Sequence, residues 1–188
     1  MSETWYQLRW ALPVWLVGLS TNWLPDNRIA SRLRGAMMRP FVGRCGRGFM
    51  LGAHVTLLNT HRLEVGDNVY IARGSWLNCF GGLVIEDEVS IAPYVVISTV
   101  QHVFKDGSVY GGGSIARAVR IGKGSWLAAH VAVKCGVTIG RGNIVAANAC
   151  VVSDTPPQVI VGGVPAKVIA ANSDGEAEVF FRTDASPG

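Results

Sequence analysis

Ile121-Gly-Lys-Gly-Ser-Trp, Leu127-Ala-Ala-His-Val-Ala, Val133-Lys-Cys-Gly-Val-Thr, Ile139-Gly-Arg-Gly-Asn-Ile, Val145-Ala-Ala-Asn-Ala-Cys and Val151-Val-Ser-Asp-Thr-Pro156 are consecutive hexads, each opened by an aliphatic residue. The second position is usually small (Gly122, Ala128, Gly140, Ala146), and the fifth is small or β-branched (Ser125, Val131, Val137, Ala149, Thr155). A period of six suits neither a helix nor a two-faced strand. Self-similarity at a fixed short period marks a repeat architecture. Hexads predict an all-β solenoid, a parallel β-helix in which three short strands make one coil and each coil stacks on the last. The opening aliphatics then form a continuous core, and Gly and Asn supply the backbone conformations needed at corners.

Working outward, clean hexads begin at Val65 and run through Ile71 and Leu77. Gly81-Gly82 interrupt the count by two residues, which reads as a bulge at a corner. The pattern resumes at Ile85, Ile91 and Ile97, fails over residues 103–119, and returns at Ile121. Lys105-Asp106-Gly107-Ser108 and Gly111-Gly112-Gly113 mark that gap as a polar excursion loop leaving the solenoid. Long loops ejected from a regular scaffold are common sites of binding and catalysis. Pro156-Pro157 ends the strand pattern. The expected organisation is therefore an N-terminal aromatic, helical segment (1–40), a β-helix (41–157) and a C-terminal segment with a loosely ordered polar tail (158–188).

Residues 1–24 carry Trp5, Tyr6, Trp10, Trp15 and Trp23 with leucines at spacings of three and four, which predicts a helix interrupted near Pro13. Its apolar run is too short to span a bilayer, and a secretory signal is not expected. Two readings remain open. The helix packs against a subunit or the solenoid's end, or it is an interfacial anchor backed by Arg28, Arg32, Arg34 and Arg39. Residues 26–40 read as a second amphipathic helix stopped at Pro40.

At 188 residues the chain suits one core, and 23 glycines with 49% hydrophobic and 16% charged residues suit a solenoid with tight corners. A net charge of +4 fits an anionic ligand, and no Lys/Arg-dense stretch with interleaved aromatics points to nucleic acid. Cys45, Cys79, Cys135 and Cys150 are scattered without a Cys-x-x-Cys pair, consistent with free thiols in a reducing compartment. Of four histidines, His102 stands apart, at the last position of the Ile97 hexad and at the mouth of the excursion. Imidazole suits general-base work near neutral pH. No histidine pair has metal-ligand spacing, so no metal is expected. A Ser or Cys nucleophile stays open, although no Gly-x-Ser-x-Gly elbow is present.

The hexads, the His102 excursion, Trp126 just after its return, Asp154-Thr155-Pro156-Pro157 and Gly163-Val164-Pro165-Ala166-Lys167 together resemble the hexapeptide-repeat acyltransferases. Within them the likeness is to the maltose/galactoside O-acetyltransferase group and its polysaccharide-biosynthesis relatives, over residues 43–170. The resemblance implies a left-handed β-helix, a homotrimer with sites between subunits, acetyl-CoA as acyl donor and a saccharide acceptor, in the cytoplasm or at the inner face of its membrane. It assigns His102 as general base, Asn78 and Trp126 to the acceptor side, the backbone amides at Ala128-Ala129 to the oxyanion and the pantetheine, Ala147 to the CoA arm, and Lys167 to the nucleotide phosphates. Trp126 reads equally well as a surface aromatic at a trimer seam. The chain departs from the family pattern at Val152, where a hydroxyl is usual, at Ala129 in place of a serine, and at Val103-Phe104-Lys105, where further histidines often follow the catalytic one. Two other readings remain: N-acetylation of a nucleotide-linked amino sugar, and a scaffold without chemistry.

Overall fold

The structure, a computed structural model, describes residues 2–173, so most of the expected tail lies outside the described residues. The first coil comprises β1 (Arg44–Cys45), β2 (Met50–Leu51) and β3 (Thr56–Leu58). The second is β4 (Leu63–Val65), β5 (Tyr70–Ile71) and β6 (Trp76–Asn78), and the third β7 (Leu83–Ile85), β8 (Ser90–Ile91) and β9 (Val96–Ser98). A hairpin, β10 (Val100–His102) and β11 (Ser114–Ala116), then leaves the solenoid. The fourth coil is β12 (Val119–Ile121), β13 (Trp126–Leu127) and β14 (Ala132–Val133), and the fifth β15 (Thr138–Ile139), β16 (Ile144–Val145) and β17 (Cys150–Val151). Finally β18 (Val159–Gly163) adds to β16 and folds back antiparallel on β19 (Ala166–Ala171). The result is a three-faced parallel β-helix. The faces are β1-β4-β7-β12-β15, then β2-β5-β8-β13-β16-β18-β19, then β3-β6-β9-β14-β17.

The hexad openers line the interior: Ile71, Leu77, Ile91, Ile97, Ile121, Leu127, Ile139 and Val145 are fully buried. Each such side chain contributes about 1.5–3 kcal/mol relative to exposure. Ser75 and Asn143, both buried, are satisfied within the stack. Ser75 Oγ donates to Ala92 O and accepts from Val95 N, and Asn143 Nδ2 donates to Thr155 Oγ1 (2.7 Å) and Pro156 O (2.9 Å).

The coils start earlier than the clean hexads. Cys45, Leu51 and Leu57 already occupy opener positions, and Leu57 reaches Val65 in eight residues, as Leu77 reaches Ile85. The extra pair thus occurs twice at the same corner, from the third face to the first. The excursion also begins earlier than residue 103 and ends before 119. Val100–His102 already pair with Ser114–Ala116, while Val119 is buried beside Leu83.

At the N-terminus, α1 (Glu3–Tyr6) runs through a π-helical turn (Gln7–Ala11) into α2 (Leu12–Thr21). Pro13 does not break the helix. It sits in the first turn of α2, where its missing N–H costs little, and Leu12 N–H reaches back to Gln7 O. In α3 (Arg28–Met38), Asn27 caps the start by accepting from Ala30 N–H (2.9 Å). α3 lies against β2 so closely that a Cβ on Gly35 would collide with Phe49 O, which explains the glycine inside that helix. Val17, Met38 and Val42 join the solenoid core, so the helices cap its first coil.

Candidate active site

Three insertions stack at the corner between the third and first faces. They are Asn59–Arg62 after β3, Cys79–Gly82 after β6, and the hairpin segment 99–118 after β9. Hydrogen bonds tie them together. Thr99 Oγ1 donates to Asn78 O (2.8 Å) and accepts from Gly81 N–H (2.7 Å), Arg117 N–H donates to Thr99 O (3.0 Å), and Arg62 donates to Phe80 O (2.6 Å).

His102 ends β10, pairs in register with Ser114, and is exposed. Its imidazole has no hydrogen-bond partner among the described residues. The hairpin that carries it is fixed at both ends. Val103 N–H donates to Gly113 O (3.0 Å), and Lys105 and Ser108 exchange two backbone bonds across Asp106-Gly107, both at positive φ (51° and 78°), the Asp-Gly turn that a tight hairpin favours. A Cβ on Gly112 would strike Val103 O, so the returning strand must be glycine there to pass beside the residue after His102. At the hairpin base, Cys135 Sγ donates to Gln101 Oε1 (3.2 Å).

Asn78, at the end of β6, borders the same corner. Its Oδ1 accepts from Asn59 Nδ2 (3.0 Å) and Phe80 N–H (3.1 Å), so its amide presents Nδ2 as a donor. Asn59 is held in turn by its N–H donating to Tyr6 Oη (3.3 Å). Sequence reasoning missed Tyr6, Asn59 and His61. The signal was the eight-residue step from Leu57 to Val65, hidden because the count began only at Val65. Tyr6 and Trp10 flank the His61 ring, with centroids 5.6 and 5.7 Å away. Between the N-terminal helix and β3 lies a groove of about 560 Å³ lined by Tyr6, Trp10, Trp15, Leu57, Asn59 and Thr60. Burial pushes the Cys79 thiol up to about 12, which argues against a thiolate nucleophile at this corner.

The other expected residues lie elsewhere on the chain. Ala128, Ala129 and Ala147 follow β13 and β16 at the corner between the second and third faces, where Asn148 N–H donates to Ala129 O (3.0 Å). Ala128 N–H is committed to Val145 O (2.9 Å). Ala129 N–H and Ala147 N–H have no partner among the described residues, so of the two amides expected at Ala128-Ala129 only the second can receive a ligand. Lys167 is exposed on β19 opposite Gly162. Trp126 projects half-exposed from the second face between Ser90 and Ile144. In a single chain, therefore, His102 and Asn78 share one corner, the three alanines share another, and the third face separates them.

No family model matches the chain. Among curated proteins it is 32% identical to the galactoside O-acetyltransferase of Escherichia coli over 62% of this chain and 61% of that protein. It is 30% identical to a putative acetyltransferase of Saccharomyces cerevisiae over 72% of this chain and 69% of that one. The chain belongs to the hexapeptide-repeat acetyltransferases. It spans less than two thirds of the length of the galactoside relative, but 88% of a putative colanic acid biosynthesis acetyltransferase of E. coli, at 27% identity over 90% of its own length. A hexapeptide-repeat acetyltransferase of Vibrio cholerae, solved with acetyl coenzyme A, superimposes with TM-score 0.79 and 25% identity, covering 92% of this chain and 91% of that one.

Proposed function

We propose that the protein transfers an acetyl group from acetyl-CoA to a saccharide hydroxyl, with His102 as general base. The observation that carries this reading is the geometry of His102: an exposed imidazole without an internal partner, on a doubly anchored hairpin, above the Asn78 corner. A ring nitrogen takes the hydroxyl proton as the sugar oxygen bonds to the thioester carbonyl carbon. The tetrahedral intermediate collapses with cleavage of the C–S bond, and the imidazolium returns its proton to the departing CoA sulfur. Ala129 N–H, free and partly exposed, suits the developing oxyanion. Ala147 extends the same column along the CoA arm, and Lys167 offers a cation to its phosphates. Asn78 Nδ2 donates to an acceptor oxygen, and Trp126 walls the cleft.

Because the histidine and the alanine column sit on different corners of one chain, the site is completed by a neighbouring copy, and a homotrimer provides three such clefts. The colanic acid relative favours an acceptor in surface-polysaccharide assembly, which suits a protein in the cytoplasm or at the inner face of its membrane. The test is thiol release from acetyl-CoA across a panel of sugars. His102→Ala is expected to lower kcat/KM by about 10²–10⁴-fold with CoA affinity retained. Undiminished transfer by that variant would remove His102 from the mechanism, and absence of CoA binding in the native protein would return the scaffold reading.

A further inference from the structure

α2 is apolar on two opposite sides. Val14 and Val17 face the solenoid, where they pack with Met38 and Val42. Leu8, Leu12 and Leu16 recur at four-residue spacing on the far side, with Trp23 just past the end of α2, all exposed, Trp23 to 77%, whereas the exposed Trp15 and Leu19 border the groove toward β3. α3 repeats the arrangement. Ala30, Arg34 and Met38 are buried, whereas Ile29 (80% exposed), Leu33 and Met37 face outward. A soluble helix normally spends its apolar residues on one stripe. Here a second stripe on each cap helix faces away from the core it already serves.

Charge says what covers it. Between Ser2 and Arg47 the sequence holds seven arginines and two acids, Glu3 and Asp26. Arg34 and Asp26 are spent internally. Arg34, 1% exposed, pairs with Asp26 at 3.2 Å and donates to Thr21 O, Leu24 O and Pro25 O. It is therefore not one of the basic residues available to lipid, as its place in the sequence had suggested. Arg28 and Arg32 are exposed along α3 beside its outward stripe, with Arg39 just past its end, and none is in an ion pair among the described residues. A two-fold pairing of this face with itself would set those arginines against their own copies. An anionic bilayer accepts both features. Tryptophan and leucine enter the headgroup–acyl boundary, and arginine meets phosphate. No described helix is long and apolar enough to cross a membrane, so the contact is interfacial.

We propose that the outward faces of α2 and α3 together dock on an anionic lipid surface. This deepens the membrane location proposed above and is independent of the acetyl-transfer reading. The test is co-sedimentation of the full chain, without acetyl-CoA, with vesicles of phosphatidylcholine alone or mixed with phosphatidylglycerol. Binding is expected to need phosphatidylglycerol and to weaken with salt. Arg28→Gln with Arg32→Gln should lower partitioning about thirtyfold, and Leu12→Glu with Leu16→Glu should abolish it at an unchanged melting midpoint. His102→Ala protein should bind vesicles as the native protein does, which separates the two proposals. Equal binding to neutral vesicles, or none to anionic ones, overturns the proposal. So does a native protein that ignores vesicles but whose larger assembly is split by the Leu12/Leu16 substitutions, since a second copy then covers the face.

Discussion

Of the three corners in each coil, two have opposite character. Between the second and third faces the chain keeps strict step: His54, Gly74, Tyr94, His130 and Asn148 stack at one left-handed position, with φ of 57–70°. Between the third and first faces, three successive coils carry insertions, and these bring Tyr6, Asn59, His61, Asn78 and His102 to the same side. Beside its stacked Tyr94 and His130 rings, the regular corner offers repeated, available backbone, as at Ala129 and Ala147. The irregular corner offers side chains. An acyl transferase needs both: a uniform track for a long cofactor and one reactive group placed off the track. In the proposed mechanism the repeat is the track, and its interruptions carry the reactive group.

That division can be broken from either side. Ile97→Ala removes a fully buried opener on β9, the strand just before the hairpin, and is expected to cost about 2–5 kcal/mol in urea unfolding, with turnover per folded molecule preserved. Loss of turnover in proportion far beyond the folded fraction would show that scaffold and site are not separable. Gly112→Ala works in the other direction. Its Cβ would displace the strand beside Val103, so turnover should fall about tenfold or more, as expected for a slight misplacement of the base. Its melting midpoint should move little, because residues 103–114 bury almost nothing. A large drop in that midpoint would mean that the excursion supports the solenoid after all.

The sequence is legible where the period is strict and obscure where it stumbles. The openers from Val65 onward, the three-faced fold and the ejection of His102 all follow from counting in sixes. The first coil was hidden because Cys45 is not aliphatic and Asn59-Thr60 shift the count before it is established. Arg34 reads as surface charge because composition cannot show that it lies under Thr21 and Leu24, with its guanidinium satisfied by carbonyls. The cap helix was legible as apolar but not as two-sided, since its spacing is identical whether a stripe points in or out. Neither could sequence reveal that Ala128 N–H is already committed to Val145 O while Ala129 N–H is not.

The smallest expected effect concerns His61, the histidine of the irregular corner that the proposed mechanism does not use. Desolvation, then the neighbouring Arg62 cation, holds its pKa below the usual value, and its Nδ1 is buried without a partner. The neutral ring is thus the form that Tyr6 and Trp10 enclose. Folding disfavours the proton, so the unfolded chain takes it up first. The stability His61 supplies is complete above its unfolded value of about 6.5 and is lost as pH falls from there through the folded value. Urea midpoints should therefore decline modestly between about pH 7 and pH 5, ahead of the window in which Glu86 protonates, since Lys123 N–H and Arg120 hold that carboxyl below its ordinary range. His61→Phe keeps the aromatic packing and removes the proton site, so its midpoints should stay level over the same interval. A variant that declines as the native protein does would move the acid sensitivity to another group and leave the tie between the N-terminal helix and the irregular corner indifferent to pH.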